Sequence, residues 1–270
     1  MNDAASDAAS MDKRGSSHPL LGALAQLKLP LVGLQWVGNL AWILLALAWP
    51  RLLGPHFRQI LAATLCALSL AFLFLWLQAY TLRKLRKAAR PLPLPAAFLL
   101  VALWTGVWLL LLLLVGVAED RAGLFAGSLR YKLPPLLRHA VSFHRLVAWQ
   151  RWMYGAARWL FAGLLLPDAM ETVASGAHPD AFARASHIYR RWFYWLAALV
   201  CGFGGSAVTE AAMGWRSGNG LGDEAVRAWM RLGGAYTVDL LLWCFMLGLV
   251  AFYLGEEFAG RGRQTAVTAP

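Results

Sequence analysis

Between Phe98 and Ala118 the chain reads FLLVALWTGVWLLLLLLVGVA, twenty-one residues without a charge. A helix rises about 1.5 Å per residue, so this stretch is long enough to cross a hydrocarbon core of roughly 30 Å. Hydrocarbon offers backbone N–H and C=O groups no water, and a helix satisfies them all internally. The stretch therefore reads as a membrane-spanning helix, and everything else in the chain has to fold alongside it.

Other apolar runs are available to do so. One extends from about Leu31 to Trp49, ahead of Pro50, and a second from about Ile60 to Tyr80. After Phe98–Ala118 come a candidate at Trp152–Pro167, then Trp192–Met213 and Gly234–Gly255. The expected fold is all-α, a polytopic bundle of about six transmembrane helices. Five is the alternative, because Trp152–Pro167 is only sixteen residues long, carries Arg158, and could lie at the interface. Short amphipathic helices on the membrane surface are expected in three places: Pro19 to Pro30, with Leu20, Leu24, Leu27 and Leu31 at helical spacing, Gly123 to Gln150, and Asp223 to Leu232.

The domain reading is simple. Residues 1–18, rich in Ala, Ser and Asp, read as a disordered tail, residues 19–257 as one transmembrane domain, and 258–270 as a short tail. No cleaved signal pattern precedes Leu20. Residues 168–191 read as a polar connection, and Pro91, Pro93 and Pro95 as an extended connector.

Composition agrees with lipid as the solvent. The chain is 59% hydrophobic and 14% charged, against about 25% charged in ordinary soluble domains. Its net charge of +11 would raise nucleic acid as a partner elsewhere, but here the basic residues gather in loops and no nucleic-acid-binding module accompanies them. Arg83, Lys84, Arg86, Lys87 and Arg90 form a cluster without an acid. Such a loop resists translocation, which places it and the N-terminus on the cytoplasmic side of the inner membrane, with the C-terminus there too if six segments cross. The same five residues are the expected contacts for anionic headgroups. The basic residues between Arg121 and Arg145 would then lie outside, which pulls against six crossings.

Ionisable residues inside spans are costly and carry the first functional weight. These are Arg158, Glu210 and Asp239. Together with Gln35 and Asn39, one turn apart on a single face, they form the candidate polar cluster, as the lining of a cavity in the outer half of the bundle that binds an ion or an anionic headgroup or relays protons. The plainer reading is that Arg158 pairs with one of the two carboxylates and locks helix packing. Cys201 with Gly205, and Gly202 with Ser206, stand four apart and form a small-residue face that another helix can approach closely.

Other chemistry is sparsely represented. Cys66, Cys201 and Cys244 are widely spaced and read as packing residues, and no histidine lies inside a clear span, so no metal or cofactor is expected. Motifs for a nucleophilic serine, a zinc protease or a phosphate loop are absent. The fourteen tryptophans read as interfacial belts. Three functional classes follow: a non-enzymatic accessory or assembly subunit that engages a membrane-protein partner through helix contacts, a small transporter or permease component, and an intramembrane lipid-modifying enzyme. The lack of any catalytic motif and the packing face at Cys201–Ser206 favour the first.

Overall fold

The computed structural model describes residues 18–52, 54, 56–86, 92–135, 142–214 and 221–267. Among them are nine α-helices, a 3-10 turn and no strand. These are α1 (Pro19–Gln26), α2 (Leu29–Ala48), the turn Trp49–Leu52, α3 (Phe57–Leu85), α4 (Leu94–Asp120), α5 (Ala122–Lys132), α6 (Phe143–Ser175), α7 (Pro179–Tyr189), α8 (Trp192–Gly214) and α9 (Leu221–Val267). The protein is an all-α membrane bundle. Five stretches are long and apolar enough to cross a bilayer: Leu29–Arg51, Phe57–Leu85, Leu94–Asp120, Trp192–Ala212 and Val226–Glu256.

Cross-helix contacts give the directions. Trp49 donates to the Ala63 carbonyl and Gln35 to Thr81, so α2 and α3 are antiparallel. Trp104 meets Thr172 and Glu119 meets Arg158, so α6 runs antiparallel to α4. Gly163 lies against Ala198 and Gly155 against Ser206, so α8 reverses again. Thr209 bonds Asp239 and Trp36 bonds Thr237, which sets α9 antiparallel to both α8 and α2. The bundle thus has an Arg86 end and a Glu119 end, with six long helices alternating between them.

The sixth is α6, and here the structure departs from the sequence reading. The candidate Trp152–Pro167 is the middle of a helix of 33 residues. It passes through Pro167 without a break, and the polar connection expected from residue 168 is in fact two further turns, buried from Ala169 to Ala174. Proline removes one backbone donor and crowds the carbonyl four residues back. That carbonyl, on Gly163, accepts the hydroxyl of the fully buried Tyr194, and the next one, on Leu164, accepts Tyr189 Oη at 2.6 Å. Tyr194 thus supplies the donor that Pro167 removes. Gly176, with φ +97°, ends the helix.

Other boundaries shift for similar reasons. The amphipathic piece at 223–232 is not separate from the last span; both belong to the 47-residue α9, which continues past Gly233 and Gly234 and also takes in much of the expected C-terminal tail. Pro95 lies in the first turn of α4, where its missing N–H has no helical partner to lose. The helix α1 does more than rest on the membrane surface: Gly22 and Ala23 are buried, with Gly22 against Phe252 and Ala23 against Gly248 of α9. Arg138, Lys87 and Arg90 lie outside the described residues.

Burial is uneven. In α9, 56% of the apolar window is buried, against 6% in α2. The helix α9 is therefore the central post, and α2 to α4 turn most of their surface to lipid. The tightest core lies at the Arg86 end, where Met170, Val173, Ile188, Tyr194, Leu247 and Val250 are almost fully enclosed.

Candidate functional site

Away from that core the helices part around a cavity of about 430 Å³, formed by α2, α3, α4, α6 and α9. It follows α6 from Arg158 to Ala169, about 16 Å of helix rise, so it lies within the apolar depth of the bundle. Its wall is largely aromatic: Trp42, Phe74, Trp104, Trp108, Trp159 and Trp243. The polar groups among them are few.

Three of the five residues in the candidate polar cluster reach this cavity: Asn39, Arg158 and Asp239. Gln35 stands behind Asn39. It is 1% exposed and donates to Thr81 Oγ1 at 2.5 Å, and Thr81 in turn donates to the Leu77 carbonyl at 2.8 Å. Asn39 gives both of its amide hydrogens to Gln35, to the backbone oxygen at 2.7 Å and to Oε1 at 2.8 Å. What Asn39 has left for the cavity is its carbonyl oxygen. Glu210 is not part of the group; it sits on an exposed face of α8.

Arg158 does not pair with Glu210 or Asp239. Its guanidinium meets Glu119, at the last turn of α4. The two side chains are 48% and 34% exposed, so the pair occupies the rim of the cavity at the Glu119 end. Asp239 takes a hydrogen bond from Thr209 Oγ1 at 3.2 Å through Oδ2. Its other oxygen, Oδ1, is buried and accepts nothing, and the indole N–H of Trp108 is likewise buried without a partner. Buried polar atoms are normally satisfied, so these two are exceptions, and Oδ1 is turned toward Gly205 of α8.

The small-residue face of α8 accounts for the position of Asp239. A methyl group on Gly205 would stand 2.9 Å from Asp239 Oδ1, and one on Gly202 would stand 2.9 Å from Trp159 Cβ. Cys201 is buried beside them, and Ser206 faces Gly155 of α6. Helices α6 and α9 of the same chain therefore occupy this face, and the glycines let Trp159 and Asp239 come close.

The cavity closes at the Arg86 end. Trp104 Nε1 donates to Thr172 Oγ1 at 2.8 Å. Just beyond, Glu171, 1% exposed, holds Arg86 Nε at 2.7 Å with one oxygen and Arg184 Nε at 2.7 Å with the other. Arg86 is 7% exposed and so faces inward, unlike Lys84 beside it. Tyr189 Oη also bonds Asp168 Oδ2 at 2.7 Å, and burial together with that carboxylate pushes the phenol above its usual range, so it remains a donor. These contacts form a buried polar cluster that plugs the Arg86 end.

Sequence reasoning missed the tryptophans and the plug. Trp104 and Trp108 stand one turn apart well inside an uncharged span, and that depth was the available signal against a belt. No comparable signal linked Glu171 to Arg86, which is 85 residues away. Among the described residues no group of three or more His, Cys, Asp or Glu could hold a metal ion, and Cys66, Cys201 and Cys244 are free thiols.

The fold and site together define a class: a polytopic α-helical membrane protein with an aromatic-walled cavity inside the bundle. No family model, curated protein or solved structure matches this chain.

Proposed function

We propose that this protein is a membrane-embedded binding module of the transporter or permease kind, which admits a small organic ligand from the Glu119 end. The observation that carries the reading is the cavity itself, an apolar and aromatic lining into which only a few polar residues, Asn39, Arg158 and Asp239 among them, are set. Its volume falls within the range of small-molecule sites, roughly 300–1,000 Å³, and such sites pair apolar walls with a few placed polar groups. Among the described residues, buried ion pairs plug the Arg86 end alone. The assembly-subunit reading drew on the small-residue face of α8, and that face is filled from within the chain. We place the protein in the cytoplasmic membrane, with the Arg86 end inside.

Reactivity of a cysteine in the cavity tests this. In a variant lacking Cys66, Cys201 and Cys244, Ala162→Cys introduces a thiol at the cavity wall, while Ala198→Cys, 2% exposed between helices, serves as the control. Position 162 should react with N-ethylmaleimide in nanodiscs and position 198 should not. Protection of both would remove the basis for a ligand-admitting cavity.

A further inference from the structure

We infer that the ligand is a monovalent organic cation with an apolar body, its cationic head held against Asp239. The inference rests on the cavity reading above and adds the charge and character of what enters.

Charge comes first. Arg158 is matched by Glu119, whereas Asp239 has no cationic partner among the described residues. An ionised carboxylate at membrane depth needs a counter-charge. Without one it takes up a proton; with the rim pair neutral, ionisation of Asp239 leaves one negative charge at the wall, which a single positive charge on the ligand balances. An anion would face that carboxylate with no unmatched guanidinium to receive it.

The surroundings of Asp239 point to the same chemistry. Tyr236, three residues before it, and Trp243, four after, share its face of α9 and line the cavity. Trp159 also packs beside Gly205, with the Nε1 edge of its indole toward the same point as Asp239 Oδ1. The faces of aromatic rings attract cations, most effectively weakly hydrated ones away from water. The Tyr236 hydroxyl is committed to the Trp36 carbonyl at 2.7 Å, so the ring is what this residue offers. Asn39 has only its carbonyl oxygen free. The cavity thus offers a cation the Asp239 carboxylate, the Asn39 carbonyl oxygen and the rings of Tyr236 and Trp243, beside the amide of Gln78 and the hydroxyl of Thr105.

An inorganic ion fits poorly. A divalent metal wants six or more oxygen ligands, or keeps several waters, and a wall of indole and leucine carbon supplies neither. An alkylammonium or aryl-alkylammonium ion, by contrast, buries its carbon body against that wall while its head meets the carboxylate.

Benzyltrimethylammonium and its uncharged carbon isostere, neopentylbenzene, separate charge from shape. Binding is read from tryptophan fluorescence of the full chain in nanodiscs. The cation should bind saturably, and benzenesulfonate should not compete. Asp239→Asn should weaken the cation by roughly tenfold or more and leave neopentylbenzene unchanged. Trp243→Leu should weaken the cation by about threefold or more, with a much smaller effect on the isostere. The unfolding midpoint of each variant shows whether it folds. Should Asp239→Asn fail to fold, Trp243→Leu and the comparison of cation with isostere decide. Equal affinity for the two probes, or preference for the sulfonate, overturns the cation assignment. No saturable cation binding, with the thiol introduced by Ala162→Cys still reactive toward N-ethylmaleimide, also overturns it and leaves the cavity reading standing. An unreactive thiol at position 162 counts against the cavity reading instead.

Discussion

Glu171 shows most clearly how a single side chain acquires its role from tertiary neighbours. Its carboxylate is shared between Arg86 and Arg184, and it is nearly inaccessible. Removing it strands two guanidiniums in a desolvated site, and breaking a buried pair in this way destabilises by about 3–5 kcal/mol. Glu171→Ala should therefore lower the thermal unfolding midpoint in detergent strongly. The double change Arg86→Met with Glu171→Leu should recover much of the loss, since well-packed apolar replacements of buried pairs are often neutral. A midpoint unmoved by Glu171→Ala would refute the pairing. From sequence, Arg86 is one of five basic residues suited to headgroups and Glu171 one acid in a polar connection; neither reveals the other, because charge pairing depends on distance in space.

At the scale of the element, α6 is the most informative helix. Proline within a helix normally weakens it by about 3 kcal/mol or more, yet α6 continues straight through Pro167. It can do so because Tyr194 donates to the carbonyl left open on Gly163. Tyr194→Phe should then destabilise by about 1–3 kcal/mol, the penalty for a buried unsatisfied group. In a Pro167→Ala background the restored amide can take over the Gly163 carbonyl, and the same tyrosine change should fall to under about 1 kcal/mol. Thermal unfolding of the four proteins measures the coupling, and an equal loss in both backgrounds would contradict the compensation. The helix reads poorly from sequence because Arg158, Pro167, Asp168 and Glu171 interrupt its hydropathy, although each is satisfied by a neighbouring helix. The span at Phe98–Ala118 behaves in the opposite way. It is unmistakable in sequence and presents Leu99, Leu103, Leu110 and Leu113 outward, yet it also contributes Trp104 and Trp108 to the cavity, so it is not merely a lipid-facing span.

For the whole molecule, the alternation of six long helices puts Lys84 and Lys132 at opposite ends. Basic residues stand at both, Arg83, Lys84, Arg190 and Arg191 at one and Arg121, Arg130, Lys132 and Arg151 at the other, so charge asymmetry weakly specifies orientation. In the cysteine-free background, Lys84→Cys and Lys132→Cys should label from opposite faces of the membrane, with position 132 reached by an impermeant maleimide from outside intact cells. Labelling of both from one face would exclude α6 as a crossing helix.

The sequence by itself determined that this is a helical membrane protein, roughly where most spans lie, and that Gln35 and Asn39 share a helix face. Those properties follow from local hydropathy and helical periodicity, which neighbouring residues carry on their own. Only the tertiary structure decided that Arg158 is neutralised by Glu119, that Glu171 gathers two distant arginines, and that Asp239 is left without a cationic partner among the described residues. Those depend on which helices become neighbours, and in a bilayer that is settled by close packing of small residues and by matching of polar groups between helices, neither of which is written into any one segment.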